Sequence, residues 1–404
     1  MKKHLLIAGF VVLGIALIVI LLRKGDALNS AQKTPGGKGR VENAGAERKG
    51  ANIAEVESEV GGPLVELPRR VMTQPEILAL LDHVAEVLRS GDPVAIKQAL
   101  TRLDEVFAGK HHDAAVGISA IVEFLKSGKD AATGEGFVVG EGGVLVESTT
   151  LRVFLMDQLG RLSREAGSSA ALEVARVNLL RPDSADEWAV SMRNVAWFDP
   201  NSREFLADRV STMLAYEPWR KNPSQGMQEA FDLIVYTGAL NTVPELEGIM
   251  TGLESPLGRA AAVAMDRLAA SQPLELMTLL NLKPELFAST PLLRSDLFAH
   301  ADLSNPAQRQ QAEAYLVRPD VNTDERGKFF ASLLQSGQFV SHNLTTPFTP
   351  PETPAQAGSR MEVLSRTLDS WLADERFSGF RGDLTRIGEV IKRIDEEIKA
   401  DAVK

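Results

Sequence analysis

Eighteen residues near the start of the chain, Leu5 to Leu22 (LLIAGFVVLGIALIVILL), carry no charge, no proline and no polar side chain. As a helix rising about 1.5 Å per residue, such a run spans about 27 Å, close to the hydrocarbon thickness of a bilayer. Everything C-terminal to it reads as soluble. The expected arrangement is one transmembrane helix within residues 1–24 carrying a large soluble body. Lys2 and Lys3 precede the run, and Arg23, Lys24 and Asp26 follow it. A cleavable signal has an apolar core of about 7–15 residues and small residues at the cleavage site. This core is longer, and Arg23-Lys24 stand where small residues belong, so an uncleaved signal-anchor is expected, with a cleaved signal or a buried soluble helix as the alternatives. No cysteine follows the run, which excludes lipid attachment there. Slightly more positive charge precedes the run than follows it, which leaves the N-terminus in the cytoplasm and exports the body. A cytoplasmic body held by Arg23-Lys24 is the alternative.

The chain contains no cysteine. Disulfides, thiolate nucleophiles and cysteine-ligated zinc are therefore excluded. Together with the anchor, this fits a bacterial single-pass inner-membrane protein with a periplasmic body. Asn343-Leu344-Thr345 matches a glycosylation sequon, which matters only in a eukaryotic host. Residues 1–70 hold eleven Lys/Arg and seven Asp/Glu, net +4, leaving 33 against 47, net −14, for residues 71–404. An acidic body argues against nucleic acid and against lying on an anionic membrane surface. Residues 25–70 are rich in glycine and mixed charge and lack aromatic residues. Such a composition buries too little apolar surface to offset ordering entropy, so a flexible linker is expected.

From Thr73 the pattern turns helical. Thr73-Gln-Pro-Glu76 is a capping box. Ile77, Leu80, Leu81, Val84, Val87 and Leu88 then form one apolar face at helical spacing, ended by Ser90-Gly91. Asp92-Pro93 starts a second helix, with Ile96, Leu100, Leu103 and Phe107 inward and Gly109 at its end. A third runs over 113–126. Phe137–Val139 and Val144–Val146 flank Gly140–Gly143 and predict a short hairpin. Thr149 or Thr150 caps the next helix. Further helices are expected at about 168–180, 184–198, 201–215, 224–237, 243–253, 257–271, 273–281, 305–316 and 324–336, with Pro or Gly at nearly every junction. Short connections make neighbours antiparallel.

Helix pairs recur every 30 to 40 residues, the range of solenoid repeats. Leu180-Arg-Pro-Asp183 leads through Asp186-Glu187 into a helix, and Val317-Arg-Pro-Asp320 leads likewise through Asp324-Glu325. Thr150–Leu162 and Pro256–Leu268, with Arg152 and Arg259 near their starts, resemble the second helix of a HEAT-type repeat. That resemblance implies an α-solenoid used as a binding scaffold, and it brings no catalytic residues with it. The full consensus is absent, repeat length drifts, and the hairpin interrupts the series. The fold expected is all-α: a solenoid of antiparallel helix pairs over 71–336, with an N-terminal transmembrane helix and one short β-hairpin insertion.

Residues 337–358 leave the pattern. Thr346–Pro354 is proline-dense and reads as an extended linker, with P-x-x-P spacings at 347–350 and 351–354. Two C-terminal helices follow within 359–404. In the last, from Asp383, Leu384, Ile387, Ile391, Ile394 and Ile398 form a two-position heptad seam of about two heptads. Packing on the body is expected, with self-association or a partner helix as the alternative.

Catalytic patterns are sparse. Gly-Lys at 37–38, 109–110, 128–129 and 327–328 is never followed by Ser or Thr, so no phosphate loop forms, and G-x-S-x-G and H-E-x-x-H do not occur. Ser30-Ala-Gln-Lys33 matches S-x-x-K, but it lies in the linker, where nothing preorganises it. His111 and His112 adjoin Asp113 and read as a solvated helix start rather than a metal site. No cofactor, metal or catalytic residue is expected. Trp188, Trp197 and Trp219 read chiefly as core. Together with Ile387, Ile391 and Ile394 they are the candidate partner-binding residues, and Leu5 to Leu22 is the anchor. The expected function is a membrane-anchored extracytoplasmic scaffold for protein–protein interaction. The alternatives are a polymer-acting hydrolase with a carboxylate pair in the solenoid groove and a purely structural assembly component.

Overall fold

The structure, a computed structural model, describes residues 71–334, 343–347 and 352–402, which fall within one compact unit. The Leu5–Leu22 run, the linker to residue 70 and the P-x-x-P spacings of the proline-dense segment fall wholly or partly outside the described residues. Among the described residues no helix is long and apolar enough to cross a membrane.

The described fold is all-α apart from one two-stranded sheet. Helices α1 (Gln74–Ser90) and α2 (Pro93–Glu105) begin as their caps dictate. The Thr73 N–H donates to the Glu76 carboxylate at 2.8 Å, and Asp92 accepts from the Val94 N–H at 2.9 Å. Past Glu105, α2 runs on into a π-helical turn, Val106–Lys110, which carries Val106 and Phe107 into the core and ends within one residue of Gly109, as expected. Helix α3 (Ala114–Lys126) follows, capped by Asp113. His112, expected in solvent, is buried: its ring lies edge-on to Phe107 at 5.5 Å and fills the space above Gly117. A side chain at Gly117 would displace it.

Strands β1 (Val138–Val139) and β2 (Leu145–Glu147) pair antiparallel with a register irregularity. Then come α4 (Leu151–Ala166), α5 (Ala170–Asn178), α6 (Ala185–Phe198), α7 (Arg203–Ala215), α8 (Glu217–Lys221), α9 (Gln225–Glu229), α10 (Asp232–Thr237), α11 (Val243–Met250), α12 (Pro256–Ser271), α13 (Pro273–Leu282), α14 (Pro291–Phe298), α15 (Pro306–Leu316), α16 (Thr323–Leu333), α17 (Pro354–Ala373) and α18 (Arg381–Ala402). The helix expected over 224–237 is two, because the chain turns at Ala230-Phe231 to bury both side chains and starts afresh at Asp232. Helix α14 was not expected. Pro291 sits in its first turn, and Arg294, Ser295, Leu297 and Phe298 are buried on its inner face. Helix α17 starts at Pro354 rather than near 359, because Thr353 and Gln356 close a capping box around that proline.

One series of helices packs in succession: α1 on α3, α3 on α4, α4 on α6, α6 on α9, α9 on α12, α12 on α14 and α14 on α16. The intervening helices pack alongside, with α5 on α4 and α6, α7 on α10, α11 on α12 and α13 on α15. A single apolar core of Leu, Ile, Val, Phe and Met runs through them. Helix α18 packs on α17.

Candidate functional site

Two arrangements of polar side chains within the fold stand out. The first recurs. In the α4–α6 triplet, Arg152 donates from Nε to Glu187 Oε1 at 2.9 Å, from Nη2 to Oε2 at 3.1 Å, and from Nη1 to the Leu125 carbonyl at the end of α3 at 2.8 Å. In the α14–α16 triplet, Arg294 donates from Nε to Glu325 Oε1 at 2.7 Å and from Nη1 to the Pro284 carbonyl just past α13 at 3.0 Å. Both glutamates are the third residue of their helix, and each N–H is capped, by Ser184 and by Asn322. The next side chain in each helix returns to the carbonyl of the R-P-D arginine, Trp188 Nε1 to Arg181 O at 2.6 Å and Arg326 Nη2 to Arg318 O at 3.4 Å. The two similar sequence segments therefore build the same clamp, one residue of loop longer in the second. Arg259, matched to Arg152 in sequence, does not repeat it: α14 has Leu293 at its third position, and Arg259 stays exposed, donating to Glu254 O at 2.6 Å. In the second clamp Tyr315 OH also donates to Glu325 Oε1 at 2.7 Å, and burial raises the phenol pKa far above its usual range.

The second arrangement joins distant parts of the chain. Arg193 of α6 and Asp157 of α4 form an ion pair shut off from water. Asp157 also accepts the Leu145 N–H of β2 at 3.1 Å, and Arg193 donates to the Gly143 carbonyl at 2.7 Å. The hairpin is thus fixed to the helices through two side chains. Gly143 has φ +80°, and a Cβ there would run into the Leu344 carbonyl. Glycine is required for both reasons. Leu344 belongs to the segment 343–347, a strap that bends at 344–346 and whose side chain at 344 is fully buried. Over the next two residues the strap meets Asp232. Oδ2 accepts from Thr345 N at 2.7 Å, Thr345 Oγ1 at 2.6 Å and Thr346 N at 2.9 Å, and Oδ1 accepts from Thr346 Oγ1 at 2.6 Å. Arg267 of α12 completes the set, donating from Nη1 to Asp232 Oδ1 at 2.7 Å and from Nη2 to Thr346 Oγ1. One buried carboxylate therefore receives five hydrogen bonds, four of them from the strap. Neighbouring Glu229 has its pKa raised, chiefly by burial and then by the Asp232 charge, with Arg267 opposing.

The tryptophans of the sequence reading part company. Trp188 is buried and meets Trp219, also buried, edge-on at 5.3 Å. Trp197 is half-buried between two guanidinium groups, Arg193 at 4.0 Å and Arg164 at 4.5 Å from its ring centroid. Ile387 and Ile391 are buried, and Ile394 packs half-buried against the core. Sequence reasoning missed Asp232, Arg267 and the Thr345-Thr346 pair. The proline-dense stretch beside them marked an extended segment, but no local signal links it to a helix more than a hundred residues away.

As chemistry, the arrangement is one of mutually satisfied donors and acceptors. Asp232 has its lone pairs engaged by donors, which leaves no free site to take a substrate proton. Among the described residues no group of three or more His, Asp or Glu side chains is placed to hold a metal ion. A surface depression lined by Leu240, Asn241, Pro244, Leu279 and Lys283 holds one charged group and no acid–base pair. Compared with family models, with curated proteins and with solved structures, the chain finds no match.

Proposed function

We propose that this chain is a membrane-anchored, extracytoplasmic scaffold for protein–protein interaction, whose body is a HEAT-like α-solenoid. The observation that carries the repeat reading is the doubled clamp. Arg152–Glu187 and Arg294–Glu325 join the first and third helices of two triplets: each glutamate is the third residue of its helix with its N–H capped by the residue before that helix, and each arginine also donates to a carbonyl at or just past the end of the helix preceding the triplet. Stacked repeats of this kind present extended surfaces to partners. The anchor reading rests on Leu5–Leu22 and its flanking charges, and the acidic balance of residues 71–404 favours a partner with a basic face. Crosslinking in the native membrane followed by capture of the full chain tests the proposal. A protein recovered above background at low and moderate salt is the expected outcome. Recovery of nothing at either salt concentration would sink it.

A further inference from the structure

The strap is held in a way that does not depend on its being part of the same chain. Asp232 reads two consecutive backbone N–H groups and two hydroxyls, Arg267 reads the second hydroxyl, and the side chain before them, Leu344, enters the core beside Gly143. The strap residues there form neither helix nor strand, so no ladder or helical register ties them to their neighbours. The segment is held by two main-chain donors, two hydroxyls and one apolar side chain. The receiving groups belong to three separate elements: the hairpin, α10 and α12.

We propose that Asp232, Arg267 and the Gly143 turn form a peptide-binding site, occupied in cis by Asn343–Pro347, and that the scaffold's partner presents a segment of the same chemistry that takes the same bend: an apolar residue followed by two Ser/Thr residues. This inference rests on the scaffold reading and names the partner's recognition element. Departure of the strap alone would leave the Asp232 carboxylate buried with its bonds to the strap broken, a costly state. Exchange of one segment for another keeps every bond and is the low-cost route. Tethering gives the strap an effective concentration on the order of millimolar, so it sets a threshold that an incoming segment has to exceed.

The test uses the full chain in detergent and a fluorescent peptide Asn-Leu-Thr-Thr-Pro, read by anisotropy. Three proteins are compared: wild type, a loosened strap (Thr345→Ala with Thr346→Ala), and the loosened strap with Asp232→Asn added. The loosened protein is expected to bind the peptide at least about tenfold more tightly than wild type, because the cis competitor is weakened. Adding Asp232→Asn is expected to abolish that binding, as is changing the peptide to Asn-Leu-Ala-Ala-Pro. Equal binding by wild type and loosened protein overturns the proposal, and so does binding indifferent to Asp232, or none at millimolar peptide by a loosened protein that melts cooperatively. If the double variant does not fold, Thr345→Ala alone, which leaves the Thr346 bonds in place, takes its part. Failure of both to fold makes the strap an obligatory piece of the core and also overturns the proposal. The outcome is separable from the scaffold reading: a chain that captures a partner from membranes yet ignores the peptide loses only this inference.

Discussion

Arg193 and Asp157 form an ion pair with side chains 0% and 3% exposed, and each also holds a piece of the hairpin backbone. Burial pulls the Arg193 pKa down, and the Asp157 charge opposes that pull. A guanidinium remains charged even so. The pair is thus two buried ions that satisfy one another, with Trp197 covering the cation. Removing one member leaves the other uncompensated. Arg193→Met is expected to cost about 3–5 kcal/mol in urea unfolding. Asp157→Asn combined with Arg193→Met is expected to cost clearly less than the sum of the two single changes. Additive costs would show that the two side chains act independently.

Tyr315 gives a narrower version of the same test. Its hydroxyl donates to Glu325 Oε1 at 2.7 Å and lies 3.0 Å from Ser295 Oγ, while the ring stacks on Phe298 at 3.9 Å. Tyr315→Phe keeps the stack and removes only the donor. Among the described residues Glu325 Oε2 has no hydrogen-bond partner, so the carboxylate is left poorly satisfied. A loss of about 1–3 kcal/mol is expected. A thermal midpoint equal to wild type would mean that this bond carries no net stability.

Glu229 makes stability depend on pH in a definite direction. Its folded pKa is raised above the ordinary value for a glutamate, first by burial and second by the Asp232 charge. The folded state therefore holds this proton to higher pH than the unfolded state does, and the contribution present at low pH is lost as pH rises through the folded pKa. Glu229→Gln removes the titration. The variant is expected to gain midpoint over wild type at pH 7 and to lose that gain below about pH 4.5. A gain that stays constant from pH 4 to pH 7 would put the cause elsewhere than in the carboxyl's ionisation.

Most helix starts were legible because they are local. Asp92, Asp113, Thr150 and Ser184 each cap the helix that the apolar period predicted. The two R-P-D segments were legible as a resemblance, and the shared clamp is its physical content. Helix α14 was missed because its eight residues present only two turns of pattern between prolines. His112 was misread because neighbouring charge suggested solvent, whereas the space above Gly117 was vacant for its ring. The Asp232 site was illegible for a deeper reason. Its bonds join residues 113 and 114 apart, and nothing in a threonine pair or a lone aspartate announces a partner at that distance.

The last helix joins the body through its neighbour. Leu384, Ile387 and Ile391 are buried, and α18 lies on α17, whose Trp371 donates to Glu313 Oε1 of α15 at 2.9 Å. Arg376, between the two helices, reaches Glu313 Oε2 at 3.1 Å, and the Arg360 guanidinium donates to the Leu333 carbonyl at 2.6 Å. Burying each of the three aliphatics contributes about 1.5–3 kcal/mol before the entropy of ordering the helix is subtracted. Deleting residues 381–404 also uncovers the face of α17 on which α18 packs. A monomer shortened in this way is expected to melt several degrees lower and to aggregate through the uncovered strip. If α18 instead pairs between chains in solution, the same deletion leaves the midpoint nearly unchanged at low concentration and removes a dimer seen by sedimentation. A shortened protein that stays soluble, monomeric and equally stable would defeat both accounts.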